Sequence, residues 1–125
     1  MKEGIIMAES PREMLNAFHG GLVSFTEADA SKDTAGAFMN LLGADYAEGA
    51  ISTKTKELIS VGIACFSRCV YCIVYHTYKA YEAGATRDEI LQASMVSVAF
   101  GGGPAMAYSA TVLKDSLDEF ENDFK

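Results

Sequence analysis

Residues 65–89 read CFSRCVYCIVYHTYKAYEAGATRDE, and this stretch decides the fold class. A helix begun near Arg68 runs to about Ala83, and Gly84 supplies the left-handed conformation that ends it. Thr86 and Glu89 then form a capping box, the clearest helix start in the chain. Working upstream, a third helix starts after Ser52 or Thr53 and carries Leu58, Ile59, Ile63 and Cys65 toward Phe66. A second covers roughly residues 30–42 and stops at Gly43. The first runs from Pro11, at N1 behind Ser10 as N-cap, to about Glu27. Downstream, the helix opened at Thr86 ends on Gly101, Gly102 and Gly103, and a sixth restarts near Pro104 and reaches Phe120. The glycine run follows no strand and lacks the Lys-Ser/Thr ending of a phosphate loop, so it reads as a helix stop. No run of β-branched and aromatic residues alternates between turns, whereas the helix formers Ala, Glu, Lys, Leu and Met are plentiful. The expectation is an all-α bundle of about six helices, with residues 1–125 as a single domain.

A chain of 125 residues, half of them apolar, can bury a core of its own. The formal net charge is -7 and the ten basic residues are scattered, which makes nucleic acid a poor partner. Residues 1–10 hold only a short apolar run, Ile5 to Met7, too little for a signal peptide. No segment reads as the about 20 apolar residues that span a bilayer. These readings predict a soluble, cytoplasmic protein without membrane attachment. Three cysteines bunched within eight residues are not a secreted disulfide framework. In a cytosolic chain such a bunch points to catalysis or metal.

Cys69 and Cys72 stand three apart and His76 four beyond Cys72, so on a helix all three share one face. That spacing suits thiol chemistry. The thiolate is the nucleophile, and a free thiol with a pKa of about 8.5 is mostly protonated at neutral pH. A helix N-terminus near Ser67 or Arg68 favours the anion, and His76 can take the proton. Glu57 lies twelve residues before Cys69 and could face His76 if the third and fourth helices pack side by side. Periodicity alone reads it instead as a solvated first-turn carboxylate after Lys54 and Lys56. Cys65, in an apolar run with Ile63 and Phe66, reads as core. Zinc on Cys65, Cys69, Cys72 and His76 is disfavoured, because a straight helix spreads those positions over about 16 Å. A sharp bend before Cys69 would reopen it, and a passive redox sensor also remains open. His19, beside Gly20 and Gly21, reads as a surface or helix-end residue. Tyr71, Tyr75 and Tyr78 read as core or subunit contacts.

The same residues resemble the alkylhydroperoxidase D (AhpD)-like, or carboxymuconolactone decarboxylase, family. The resemblance runs over residues 54–109: Lys56-Glu57-Leu58-Ile59, Cys69-Val70-Tyr71-Cys72-Ile73, His76, Ala83-Gly84-Ala85-Thr86, Asp88-Glu89-Ile90 and Gly102-Gly103-Pro104-Ala105. It implies an all-α fold assembled as homotrimers or homohexamers. It also implies peroxidase and disulfide-reductase activity with no bound cofactor; the separate expectation of no metal rests on the ligand span and on the lack of a second Cys/His cluster. The substrate would be a small hydroperoxide or disulfide, and the reductant a dithiol such as a lipoyl protein or thioredoxin. By the family pattern Cys72 becomes the sulfenic acid, Cys69 resolves it, and His76 and Glu57 form a proton relay through water. Two departures stand out: Tyr71 replaces a histidine that AhpD carries beside the second cysteine, and Cys65 is extra. The alternatives are a cofactor-free decarboxylase of the same fold, and a non-enzymatic helical redox sensor or interaction protein. The intact C-x-x-C pair favours the redox branch.

Overall fold

A reciprocal cap opens the first helix. Glu13 N–H donates to Ser10 Oγ at 3.1 Å and Ser10 N–H donates to Glu13 Oε1 at 2.8 Å, with Pro11 just inside, where no donor is needed. The computed structural model describes residues 9–125, so the expectation for the apolar run at Ile5 to Met7 lies outside the described residues. In chain order the elements are α1 (Pro11–Glu27), α2 (Lys32–Asp45), α3 (Thr53–Ser67), α4 (Val70–Glu82) and α5 (Arg87–Tyr108). A π-helical turn (Ser109–Leu113) joins α5 to α6 (Lys114–Phe120). Among the described residues there is no strand, and the all-helical expectation holds.

Two boundaries differ from the sequence reading. Gly43 does not stop α2, which continues to Asp45 and is capped by Tyr46, whose N–H donates to Leu42 O at 3.0 Å. A glycine inside a helix weakens it by only about 1 kcal/mol, less than the surrounding turns supply. The second difference is that α4 starts at Val70 and not at Arg68, because Arg68 terminates α3. Gly84 ends α4 as expected. Its φ is 96°, its N–H donates to Tyr81 O, and Ala85 N–H donates to Ala80 O, the paired bonds of a Schellman turn.

α3, α4 and α5 form the centre, with the π-helical turn and α6 closing one side. Val61, Ile73, Ile90, Leu113, Leu117 and Phe120 are at most 1% exposed, each such side chain contributing about 1.5–3 kcal/mol by burial. α2 stands apart: it buries only Ala35 and leaves Phe38, Met39 and Leu41 exposed. The glycine run breaks the last helical stretch at Gly102 (φ 60°, ψ −139°), and Pro104 follows within the next turn. Gly101 has a separate cause, since a Cβ there would meet Ala105 Cβ at 2.9 Å and a Phe66 ring carbon at 3.2 Å. One correction concerns the bilayer. The run Arg87–Phe120 is long and apolar enough, by length and composition alone, to cross a membrane. Here it is broken at Gly102, packs along α3 and carries the buried hydroxyls of Ser94, Ser97 and Ser109.

Candidate active site

The site begins at the joint between α3 and α4. Arg68 takes the left-handed conformation (φ 58°), the one non-glycine among the described residues to do so. Its N–H donates to Cys65 O (3.3 Å), and Cys69 N–H reaches back to Ala64 O (3.1 Å), a second Schellman turn. Cys69 is thereby the residue just beyond α3 and at once the N-cap of α4. Its carbonyl accepts from Ile73 N–H (2.9 Å), and its Sγ accepts from Cys72 N–H (3.3 Å). Both sulfurs therefore sit in the first turn of α4, where the unpaired amides and the helix dipole favour a thiolate. The cysteines are joined as a disulfide, their Cα atoms 5.2 Å apart.

One turn further along α4, His76 Nδ1–H donates to Glu57 Oε1 at 2.7 Å. α3 and α4 do pack side by side, and Glu57 is 2% exposed. The solvated-carboxylate reading of Glu57 is thus corrected. Neighbouring lysines are weak evidence when the helix face at that position turns inward.

Two residues that the sequence reading did not place here complete the surroundings. Tyr46 stacks on the His76 imidazole, with ring centroids 5.6 Å apart and planes 27° apart. Tyr75 meets the same ring edge-on at 5.0 Å and 81°. Burial pushes both phenols up; the Glu57 carboxylate adds to the rise, while the Lys79 ammonium opposes it at Tyr75. Both phenols stay protonated at neutral pH. Tyr75 had a local signal, since it adjoins His76. Tyr46 had none, being thirty positions away in sequence and brought near only by packing. A cavity of about 620 Å³ opens beside the pair, lined by Met39, Tyr46, Thr53, Glu57, Tyr75 and Lys79.

The remaining candidates fall elsewhere. Tyr71 is exposed, and its O–H donates to Glu9 Oε1 at 3.4 Å. His19 is an exposed residue in the middle of α1, not at its end, with Tyr75 edge-on at 6.0 Å. Tyr78 packs edge-on against Phe120 at 5.2 Å. Cys65 is fully buried; burial pushes its thiol up, and the Ser109 hydroxyl partly offsets this. The chain does bend between Cys65 and Cys69, so the straight-helix argument against zinc does not apply as posed. Even with the bend, no three His, Cys, Asp or Glu side chains among the described residues converge as a metal set.

A helical domain with a C-x-x-C pair in the first turn of one helix, and a buried carboxylate–imidazole pair joining that helix to its neighbour, is the class these features define. The carboxymuconolactone decarboxylase family profile matches residues 32–115, more than half of the chain, and the chain belongs to that family. It is 35% identical over 96 residues to uncharacterized protein 4 of the cox locus of Paracoccus denitrificans, covering 77% of this chain and 84% of that one. An uncharacterized protein of Cupriavidus necator is 31% identical over 77 residues, 62% of this chain and 68% of the relative. In structure the chain is similar to a carboxymuconolactone decarboxylase family protein from Legionella pneumophila in its apo form. That likeness has a TM-score of 0.82 and 29% identity, and covers 90% and 97% of the two chains. A Thermotoga maritima family protein, named for a suspected part in an antioxidative response, superposes with a TM-score of 0.70 over 90% and 97% of the chains. At 24% identity it speaks to fold alone.

Proposed function

We propose that the protein is a thiol-dependent peroxidase and disulfide reductase that cycles Cys69 and Cys72 with protons handled by His76 and Glu57. The observation that carries this reading is the Cys69–Cys72 disulfide at the start of α4, with His76 one turn on along the same helix and paired to Glu57 of α3. His76 takes the thiol proton of Cys72, and the thiolate attacks the distal oxygen of a hydroperoxide. The O–O bond breaks, sulfur is oxidised to sulfenic acid, and the leaving alkoxide collects the proton from the imidazolium, giving an alcohol. Cys69 then attacks Sγ of Cys72; the S–O bond breaks, water leaves and the disulfide forms. A dithiol donor, of the lipoyl or thioredoxin kind, restores both thiols and leaves as its own disulfide. Glu57, hydrogen-bonded to Nδ1, stabilises the imidazolium each time it forms. The working unit on this reading is a homotrimer or homohexamer.

The test is hydroperoxide reduction with dihydrolipoamide or thioredoxin as donor, on wild type, Cys72→Ser and His76→Gln. Cys72→Ser should abolish turnover. His76→Gln should slow the peroxide step by about 10²-fold or more, and Glu57→Gln should act in the same direction more weakly. Circular dichroism should stay unchanged in all three. A chain that keeps its activity as Cys72→Ser is not acting through sulfur, and a decarboxylase chemistry would then take precedence.

A further inference from the structure

We infer that Tyr46 is a positioning residue that fixes the plane and the tautomer of the His76 imidazole, a role that rests on the relay proposed above. One hydrogen bond does not orient a histidine. With Nδ1 held to Glu57 Oε1, the ring can still swing about that axis, and it can turn over to present its other nitrogen. A second constraint is needed, and Tyr46 supplies it by lying over the imidazole face, with Tyr75 set against the same ring edge-on.

Tyr46 is itself tied down in three places. Its N–H donates to Leu42 O at 3.0 Å, and its carbonyl accepts from Thr53 Oγ1 at 2.6 Å. Its phenol is hydrogen-bonded to Ser60 Oγ, and the Ser60 hydroxyl donates onward to Lys56 O at 2.9 Å. That onward bond uses the serine proton, so the phenol is the donor to serine and has no proton left to compete for Glu57. Ser60 stands three residues beyond Glu57 on α3 and shares its face. One face of α3 thus holds the imidazole by its nitrogen and the tyrosine by its oxygen.

The chemistry needs this. With Nδ1–H given to Glu57, the Nε2 lone pair is the acceptor for the Cys72 proton. A turned ring would instead point an N–H where an acceptor is wanted. The aromatic face also suits the imidazolium that forms transiently, since a ring quadrupole attracts a cation above it.

The experiment is two-bond ¹H–¹⁵N correlation of the histidine rings in the full chain, with His76→Gln assigning the His76 signals. Wild type should show a single Nδ1–H tautomer for neutral His76, and nuclear Overhauser contacts between the Tyr46 and His76 rings. Tyr46→Leu and Tyr46→Met, made together in case one fails to fold, should give a mixed tautomer pattern. They should also react on the order of tenfold more slowly with hydroperoxide. Tyr46→Phe, which keeps the ring and loses only the Ser60 tie, should stay closer to wild type than Tyr46→Leu or Tyr46→Met in both tautomer pattern and rate. A single unmixed tautomer in a folded Tyr46→Leu or Tyr46→Met would overturn the inference, and so would the absence of ring–ring contacts in wild type. Neither result depends on turnover. Full peroxide reactivity in His76→Gln would remove the relay, while the tautomer pattern would still decide the place of Tyr46.

Discussion

At the scale of the residue, Arg68 is the most exposed to test. It holds φ 58° at the joint that delivers Cys69, a conformation that costs a residue with a Cβ roughly 1–2 kcal/mol and glycine nothing. Arg68→Gly should therefore raise stability by about 1 kcal/mol. The check is the urea midpoint at fixed protein concentration with an unchanged slope. A loss of stability would mean that the arginine side chain holds the joint by contacts that outweigh its strain. The sulfur pair and His76 were legible in the sequence, because i, i+3 and i, i+4 spacings on a helix are local arithmetic. Glu57 was legible only through the family resemblance. Its burial depends on α3 and α4 facing each other, which no neighbour of Glu57 in sequence reveals. Tyr46 was not legible at all, for it reaches the imidazole from the far side of the α2–α3 connection.

At the scale of the element, the helix starts were well written and the stops less so. Thr86 with Glu89, and Ser10 before Pro11, are cap chemistry carried in a few adjacent residues, and the structure forms both. Gly43 looked like a stop but lacks the positive φ that makes one. The Thr86 cap is also sensitive to acid. Thr86 N–H donates to Glu89 Oε1 (2.8 Å), and Lys54 Nζ lies 3.0 Å from Glu89 Oε2. The backbone hydrogen bond first, and the lysine next, hold the Glu89 carboxyl below its ordinary value. A carboxyl depressed in the folded state contributes stability above its unfolded pKa of about 4.3, and that contribution is lost as pH falls through the folded value. Glu89→Gln should therefore flatten the acid side of a melting-temperature profile and change little there once the wild-type carboxyl is protonated. The break at Gly102 makes a separate prediction. Its φ/ψ pair is glycine territory, and a Cβ there would meet no atom within 4 Å, so any penalty is backbone strain. Gly102→Ala should cost about 1–3 kcal/mol in thermal or urea unfolding. Gly103→Ala, where a Cβ is equally unobstructed and φ is not positive, should cost far less.

At the scale of the whole molecule, the outer face formed by α3 and α5 carries a groove of about 510 Å³ lined almost entirely by carbon. Ile63, Val96 and Phe100 on it are 61%, 64% and 81% exposed. With the exposed apolar side chains of α2, this is more unpartnered apolar surface than scattered single residues account for. A homo-oligomer that covers the groove is the expected form in solution. Light scattering at micromolar concentration should return several times the 13.4 kDa chain mass. Phe100→Glu should lower that mass while leaving helical circular dichroism in place. A wild-type monomer would remove the prediction. The sequence hinted at this surface only through its generous apolar content, since exposure belongs to the folded arrangement.

The joint at Arg68 and Cys69 bears on what a change of oxidation state means for the rest of the chain. Its shape is set by three backbone bonds, Arg68 N–H to Cys65 O, Cys69 N–H to Ala64 O and Ile73 N–H to Cys69 O, none of which involves sulfur. A cross-link spanning so few residues restricts the unfolded chain by only about 2 kcal/mol, against about 4.7 kcal/mol for one that closes 100 residues. The corner therefore owes its shape to the main chain and not to the sulfur–sulfur bond, and opening that bond should leave both helix ends in place, which amide exchange at Arg68, Cys69 and Ile73 in the reduced chain would check.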